Sequence, residues 1–431
     1  MGPHYRGRLK SQAWNVRIAF PVDKMSAPKA RASRGVAKKI ERVPLLDLQR
    51  QYQGIEQEVQ AEIAQVCASQ QFILGSEVER LESEVAAFTG AAEAVGCGSG
   101  TDALWLALLG VGVQPGDVVV TTAFSFFASA SSIVRAGARP MLMDVDPLTL
   151  NLDAGWLAEK LRSSRPRNLR ALLPVHLYGQ CADMDALGSI AEEFHVPIVE
   201  DAAQAIGAKW RERGAGSLGS AGTFSFYPTK NLSAYGDAGL VTTNDGELAR
   251  RMRRLRNHGS SQRYHHEEVG WNCRLDSIQA AVLRVKLRYV EQWNGQRRQR
   301  AGLYDQLLVE KGLVAARRGD RGEPTSDSSS SFPVRLLRND SRGQHVFHQY
   351  VIRVHRRDEL RSFLTERGIG TEIYYPIPLH LQACFSYLGY AEGDLPESER
   401  AAGDVLAIPM FPELTEDEQR WVVESIGEFY G

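Results

Sequence analysis

The sequence predicts an α/β protein, with a mostly parallel sheet flanked by helices in a large domain and a smaller α/β domain after it. Three observations predict it. Between residues 140 and 200, short apolar runs alternate with amphipathic ones: a strand over 140–144, a helix over 154–161, a strand over 172–177, a helix over 184–194 and a strand over 198–200. This alternation is the signature of successive βαβ units. A glycine-rich turn at 96–100 joins a short strand to a helix with Leu104, Ala107, Leu108 and Val111 along one face. Finally, an apolar strand ends in Glu200-Asp201, and open α/β sheets hold their ligands at the carboxyl ends of strands.

Composition narrows the classes. Charged residues make up 24% and hydrophobic ones 43% of 431 residues, with a net charge of −1, so neither nucleic acid nor a membrane is expected as a partner. Cys67, Cys97, Cys181, Cys273 and Cys384 show no C-x-x-C spacing, which points to a reducing, cytoplasmic setting without structural zinc. Residues 1–42 carry eleven Lys or Arg against Asp23 and Glu41 and have no sustained periodicity. They are expected to be a basic, disordered extension.

Taken in order, the folded region begins near Val43. A helix is expected over 52–69, then a loop at 72–75, then a helix with Val78, Leu81, Val85 and Phe88 that starts in a Ser76/Glu79 capping box and ends at Gly90. The turn after the strand at 95–97 places the amides of Gly100 and Thr101 at a helix start, where the dipole favours an anion. Gly96 and Gly98 are spaced like a dinucleotide fingerprint, but Thr101 interrupts it, and no P-loop lysine follows. Residues 118–130 read as a buried strand running into an aromatic loop, in which Phe124 and Phe127 belong to the core. His176 is placed inside a strand, in a structural role.

The stretch 222–239 carries the chemistry. A strand over 223–227 is stopped by Pro228, so Lys230 stands at a strand exit facing a cleft. A lysine desolvated there acts as an amine nucleophile towards a carbonyl. Asp201 lies 29 residues earlier, one crossover away. A lysine and an aspartate on neighbouring strand ends fit a pyridoxal phosphate site, although the pair taken alone favours a plain salt bridge. Residues 240–243 form a further strand. The Arg-rich helix at 248–256 reads as a solvated face, and His265-His266 lacks helical ligand spacing, so no metal is expected. A helix with Ile278, Ala281, Val282, Val285 and Tyr289 on one face follows, then a Ser/Asp/Gly-rich surface loop at 319–331, a strand at 350–354 and a helix at 358–368. The domains are therefore drawn as 43–290 and 291–431.

Five motifs in series carry a resemblance: G-S-G-T-D-A-L at 98–104, P-V-H-L-Y-G-Q at 174–180, E-D-A-A-Q-A at 200–205, F-S-F-Y-P-T-K-N-L at 224–232 and N-x-R-L-D at 272–276. The sequence resembles the DegT/DnrJ/EryC1/StrS family of sugar aminotransferases, from about Val43 to the C-terminus, although Ala123 stands where family members often have proline. The resemblance implies the PLP-dependent transferase fold type I, with pyridoxal 5'-phosphate held by Lys230 and its ring nitrogen paired with Asp201. It also implies Phe126 flat on the ring, Gln204 on the phenolic oxygen and Ser225 on the phosphate beside Gly100 and Thr101. Asn272 and Arg274 would cross into the partner's site, with the asparagine on the phosphate, making an obligate homodimer with shared active sites. Tyr227 and His380 would contact a nucleotide-linked keto sugar.

The implied reaction is transfer of an amino group, with L-glutamate as donor, to a dTDP- or UDP-linked sugar. The patterns H-L-Y-G-Q, N-H-G-S, H-E-E-V-G and I-P-L-H-L-Q are most similar to enzymes acting at C-3. A cyclitol aminotransferase and a cofactor-binding regulator without turnover are the alternatives. Lys230 speaks against the dehydratases of this fold, which have histidine there, and Thr101 against a nicotinamide oxidoreductase.

Overall fold

Seven strands build the main sheet of the computed structural model, which describes residues 40–315 and 332–431. They are β1 (Glu93–Cys97), β2 (Val118–Thr122), β3 (Arg139–Met143), β4 (Leu169–Leu173), β5 (Val199–Asp201), β6 (Ala221–Ser225) and β7 (Gly239–Thr243). Their order is β3-β2-β4-β5-β6-β7-β1, with β4 joined to β5 by parallel bridges at Leu172–Ile198 and Val175–Asp201. Only β7 runs against its neighbours in this sheet. The mixed, mostly parallel α/β sheet expected from the sequence is thus present. All five residues of β2 are buried, as a strand covered by helices on both faces requires.

Beyond the main sheet, β8 (Val334–Leu336), β9 (Tyr350–Val354) and β10 (Val405–Ile408) form an antiparallel sheet. Its core gathers Tyr304, Ile352, Leu406 and Ile426 from this sheet and from helices Val290–Glu310 and Glu416–Tyr430, with Phe411 from the segment after β10. The basic extension and the loop at 319–331 lie outside the described residues, apart from residues 40–42.

Several local expectations are corrected. The helix expected over 52–69 is two helices, Leu48–Gln53 and Glu56–Ser69, divided at Gly54. The helix Ser76–Thr89 takes Gly75 as its N-cap, with no side-chain cap, so Ser76 is a helical residue and the capping box does not form. Gly90 ends it in the left-handed conformation, as expected. β4 stops at Leu173, and His176 lies beyond it as the N-cap of a short 3-10 turn, Leu177–Gly179. The aromatic loop after β2 shrinks to residues 123–126, because a helix begins at Phe127. On the Arg-rich helix Gly246–Leu255, Arg251 and Arg254 pair with Glu268, and Arg253 pairs with Glu93; the capping Arg256 is buried against Glu82.

Candidate active site

Parallel pairing brings the carboxyl ends of β5 and β6 side by side, with Asp201 opposite Thr223 and Ser225 two residues further on. Asp201 is buried, which pushes its carboxyl up; the Ser129 hydroxyl (2.7 Å) and the Ala203 amide (3.2 Å) oppose this, as does the charge of Lys230. After Ser225 the chain turns, the Lys230 amide donating to the Tyr227 carbonyl at 2.8 Å. Lys230 is therefore placed at the mouth of the same cleft. Burial lowers its amine to about 8, and Asp201 pulls the other way. An amine with that value has a substantial neutral fraction near neutrality, which nucleophilic attack requires.

The helix Gly100–Gly110 starts against this group. Ser99 is its N-cap, accepting from the Asp102 amide at 3.0 Å. The first amides, those of Gly100 and Thr101, have no intrahelical acceptor. Gly100 is required by contact: a Cβ there would stand 2.5 Å from the Cβ of Ser225 and 3.0 Å from its hydroxyl. Gly239, at the start of β7, is equally constrained, since its Cβ would lie 2.2 Å from the Ser99 carbonyl. Helix start, Ser225 and β7 thereby pack so closely that only glycine is accommodated at 100 and 239, which holds the helix-start amides beside the Ser225 hydroxyl.

Gln204 is buried and oriented from both ends. Its Oε1 accepts from the Tyr178 amide at 2.6 Å, and its Nε2 donates to the Tyr375 hydroxyl at 3.1 Å. Phe126 is 58% exposed, with its ring centroid 6.1 Å from that of Tyr375, so one flat aromatic face is left open beside the site. Phe124 is fully buried, as expected. Phe127 is not: it is 43% exposed and stacks on Phe385 at 5.4 Å, because the helix begins at this residue and turns it outward.

Other candidates lie apart. Tyr227 is exposed. Asn272 accepts from Arg274 at 3.0 Å, and Arg274 also reaches Asn257 at 3.3 Å; their loop is held beside the end of β1 by the Gly98 amide and the Cys273 carbonyl. Within one chain these two residues bond to each other and to Asn257 rather than to the Lys230–Asp201 group. His380 is buried, with Nε2 2.9 Å from Glu399 and its ring edge-on to Tyr390.

Three features escaped sequence reasoning. Ser129 bonds Asp201 from the helix after β2. Asn231, next to Lys230, donates to Asn294 (2.8 Å) and the Val346 carbonyl (3.2 Å) and accepts from His348 Nδ1 (3.1 Å). His348 is kept well below the usual histidine range by burial and by Lys230. Finally, Glu200, beside Asp201, accepts from the amides of Gly216, Leu218 and Gly219 and from His176, whose other nitrogen accepts from Ala182. His176 is thus held in a structural role, as expected.

The DegT/DnrJ/EryC1/StrS aminotransferase family model matches residues 53–427. The chain belongs to this family. The motif resemblance is therefore borne out over nearly the whole described region. Among family relatives, the chain is 42% identical to the dTDP-3-amino-3,4,6-trideoxy-alpha-D-glucose transaminase of Streptomyces venezuelae over 90% of this chain and 96% of that one. It is 48% identical to the Pleiotropic regulatory protein of Geobacillus stearothermophilus, over 90% and 98% of the two chains. The crystal structure of S. venezuelae DesV superposes with a TM-score of 0.83 at 41% identity, covering 90% of this chain and 99% of that one.

The residues of this family member fit pyridoxal phosphate. The helix-start amides that Gly100 brings against the Ser225 hydroxyl match a phosphate, the buried carboxylate of Asp201 matches a pyridinium nitrogen, and the partly neutral Lys230 matches an aldehyde.

Proposed function

We propose that this chain is a pyridoxal phosphate-dependent aminotransferase that moves an amino group from L-glutamate to a nucleoside diphosphate-linked 3-keto sugar, dTDP- or UDP-linked, for amino-sugar biosynthesis. The observation that carries it is the meeting of Lys230 and Asp201 at adjacent strand ends, against a helix start that Gly100 leaves open. Pyridoxal phosphate, when bound, supplies the electron sink that lets an amino donor lose its Cα proton. Gly100, Thr101 and Ser225 hold the phosphate, Phe126 covers the ring and Gln204 meets its phenolic oxygen. Asp201 keeps the ring nitrogen protonated through a charge-assisted hydrogen bond. Lys230 Nζ takes the proton from the donor Cα and later returns one to the sugar carbon, general acid–base work suited to a reaction run in both directions.

Tyr227, Arg274 and His380 are proposed to meet the nucleotide sugar, His380 being held by Glu399 at 2.9 Å. Asn272 and Arg274 are proposed to complete the partner's site in a homodimer, with 43–290 and 291–431 as its two domains, working in the cytoplasm. The C-3 assignment is supported by the four sequence patterns and by the name of the Streptomyces relative, a 3-amino sugar transaminase. The name of the Geobacillus relative favours a second reading, a cofactor-binding regulator without turnover.

One experiment separates them. Absorbance of the purified protein with pyridoxal phosphate is recorded before and after glutamate, with Lys230→Ala beside it. An amine-dependent loss of the visible band, absent in the variant, supports turnover. A band that no amine discharges supports the regulator. Supplying 3-keto and 4-keto nucleotide sugars next tests position, and amination of 4-keto sugars alone overturns the C-3 assignment.

A further inference from the structure

Asp201 has a second line of support reaching away from the cleft. Ser129, fully buried, donates to Asp201 Oδ2 at 2.7 Å, and Ser125, also buried, lies 2.8 Å from Ser129, oxygen to oxygen. A hydroxyl has one proton. Since Ser129 gives its own to the carboxylate, it must accept from Ser125, and the chain runs Ser125 to Ser129 to Asp201. Such a chain favours the charged carboxylate, because protonating Asp201 removes an acceptor that both hydroxyls are arranged to serve. The two serines also flank Phe126, the N-cap of the helix that carries Ser129. One short turn therefore fixes both the exposed ring and the hydroxyl behind the acid.

We propose that Ser129, backed by Ser125, is a positioning residue that keeps Asp201 ionised and aimed at the nitrogen of a protonated heterocycle, and so sets how tightly that nitrogen holds its charge. This rests on the function proposed above. The other polar or charged groups facing Asp201 are the Ala203 amide, Lys230, His176 and Tyr375. Because these groups also face Asp201, the comparison is made between proteins that differ only at 125 or 129.

The test reconstitutes full-length wild type, Ser129→Ala, Ser129→Thr and Ser125→Ala with pyridoxal phosphate. It measures the dissociation constant and the pH midpoint of the bound cofactor's visible absorbance. With Ser129→Ala, the ring carries less positive charge and holds its other titrating proton more tightly. The midpoint is then expected to rise by roughly half to one pH unit, with about tenfold weaker binding. Ser129→Thr, which keeps the hydroxyl, restores both, and Ser125→Ala gives a smaller rise. Unchanged values in Ser129→Ala, or a Thr variant that behaves like Ala, overturn the proposal. Should Ser129→Ala fail to fold, an unmoved midpoint in Ser125→Ala overturns it alone. A wild type that takes up no cofactor removes the proposed function and this inference together, whereas a reconstituted wild type with insensitive serine variants removes the inference only.

Discussion

Gly100 and Ser225 approach so closely that a methyl group on Gly100 would stand 2.5 Å from the Ser225 Cβ. Gly100→Ala is expected to push the helix start away from β6 and weaken pyridoxal phosphate binding about tenfold or more, the loss of one or two charge-assisted hydrogen bonds. Pyridoxal, which lacks the phosphate, should bind the variant and the wild type alike. Titrating both compounds checks this, and an unchanged ratio of affinities sinks the assignment of the phosphate to this helix start.

Lys230 has its amine lowered to about 8 by burial. Only the neutral amine attacks an aldehyde, so uptake of pyridoxal phosphate by cofactor-free protein should quicken about tenfold per pH unit below that value and level off above it. Stopped-flow absorbance between pH 6 and about 9.5 reads the midpoint directly. Uptake still climbing at the upper end would place the amine in the ordinary lysine range and remove the argument for activation by burial.

Lys286 is a buried cation whose contacts are the Ser233 hydroxyl at 2.9 Å and the face of Tyr235 at 4.5 Å. Burial alone takes its amine from 10.5 to about 8. A lysine lowered in the folded state destabilises the fold fully below the folded value, and the penalty fades as pH rises towards the unfolded one. Relative to Lys286→Met, the cofactor-free wild type should therefore gain about 3 kcal/mol between pH 7 and about 10.5. Urea unfolding of both proteins at the two ends measures it, and a difference that does not vary with pH would show that the ammonium is not desolvated.

Phe124 and Phe126, two residues apart, should respond oppositely. Phe124 is fully buried, so Phe124→Ala should cost about 3–5 kcal/mol of stability. Phe126 is exposed, so Phe126→Ala should leave thermal unfolding of the cofactor-free protein nearly unchanged while weakening pyridoxal phosphate. Calorimetry with a cofactor titration distinguishes them, and a large stability loss at Phe126 would return that ring to the core.

What was legible in the sequence was local. Asp201 could be placed at a strand end, and Gly100 at a helix start, because a strand's burial pattern and a turn's composition are written in neighbouring residues. The errors were local competitions with tertiary winners. Ser76 has the chemistry of a cap, yet Gly75 occupies that position, and a Cβ there would lie 2.9 Å from the Gln71 carbonyl. Phe127 looked like core because apolar residues surround it in sequence, but a helix starting there turns it out. Ser129, Tyr375 and His348 could not be found this way. Their partners, Asp201, Gln204 and Asn231, lie 72, 171 and 117 residues away, and nothing in the flanking chain records the pairing.

The bonds from Asn231 to His348 and to the Val346 carbonyl have a practical outcome for protein engineering. Chimeras that exchange C-terminal segments between relatives, in search of new sugar selectivity, would replace two of the three groups that anchor the residue next to Lys230. A crossover placed after Gln349 keeps that anchor with its own lysine, whereas one placed before His345 makes every hybrid a test of chemistry and selectivity at once.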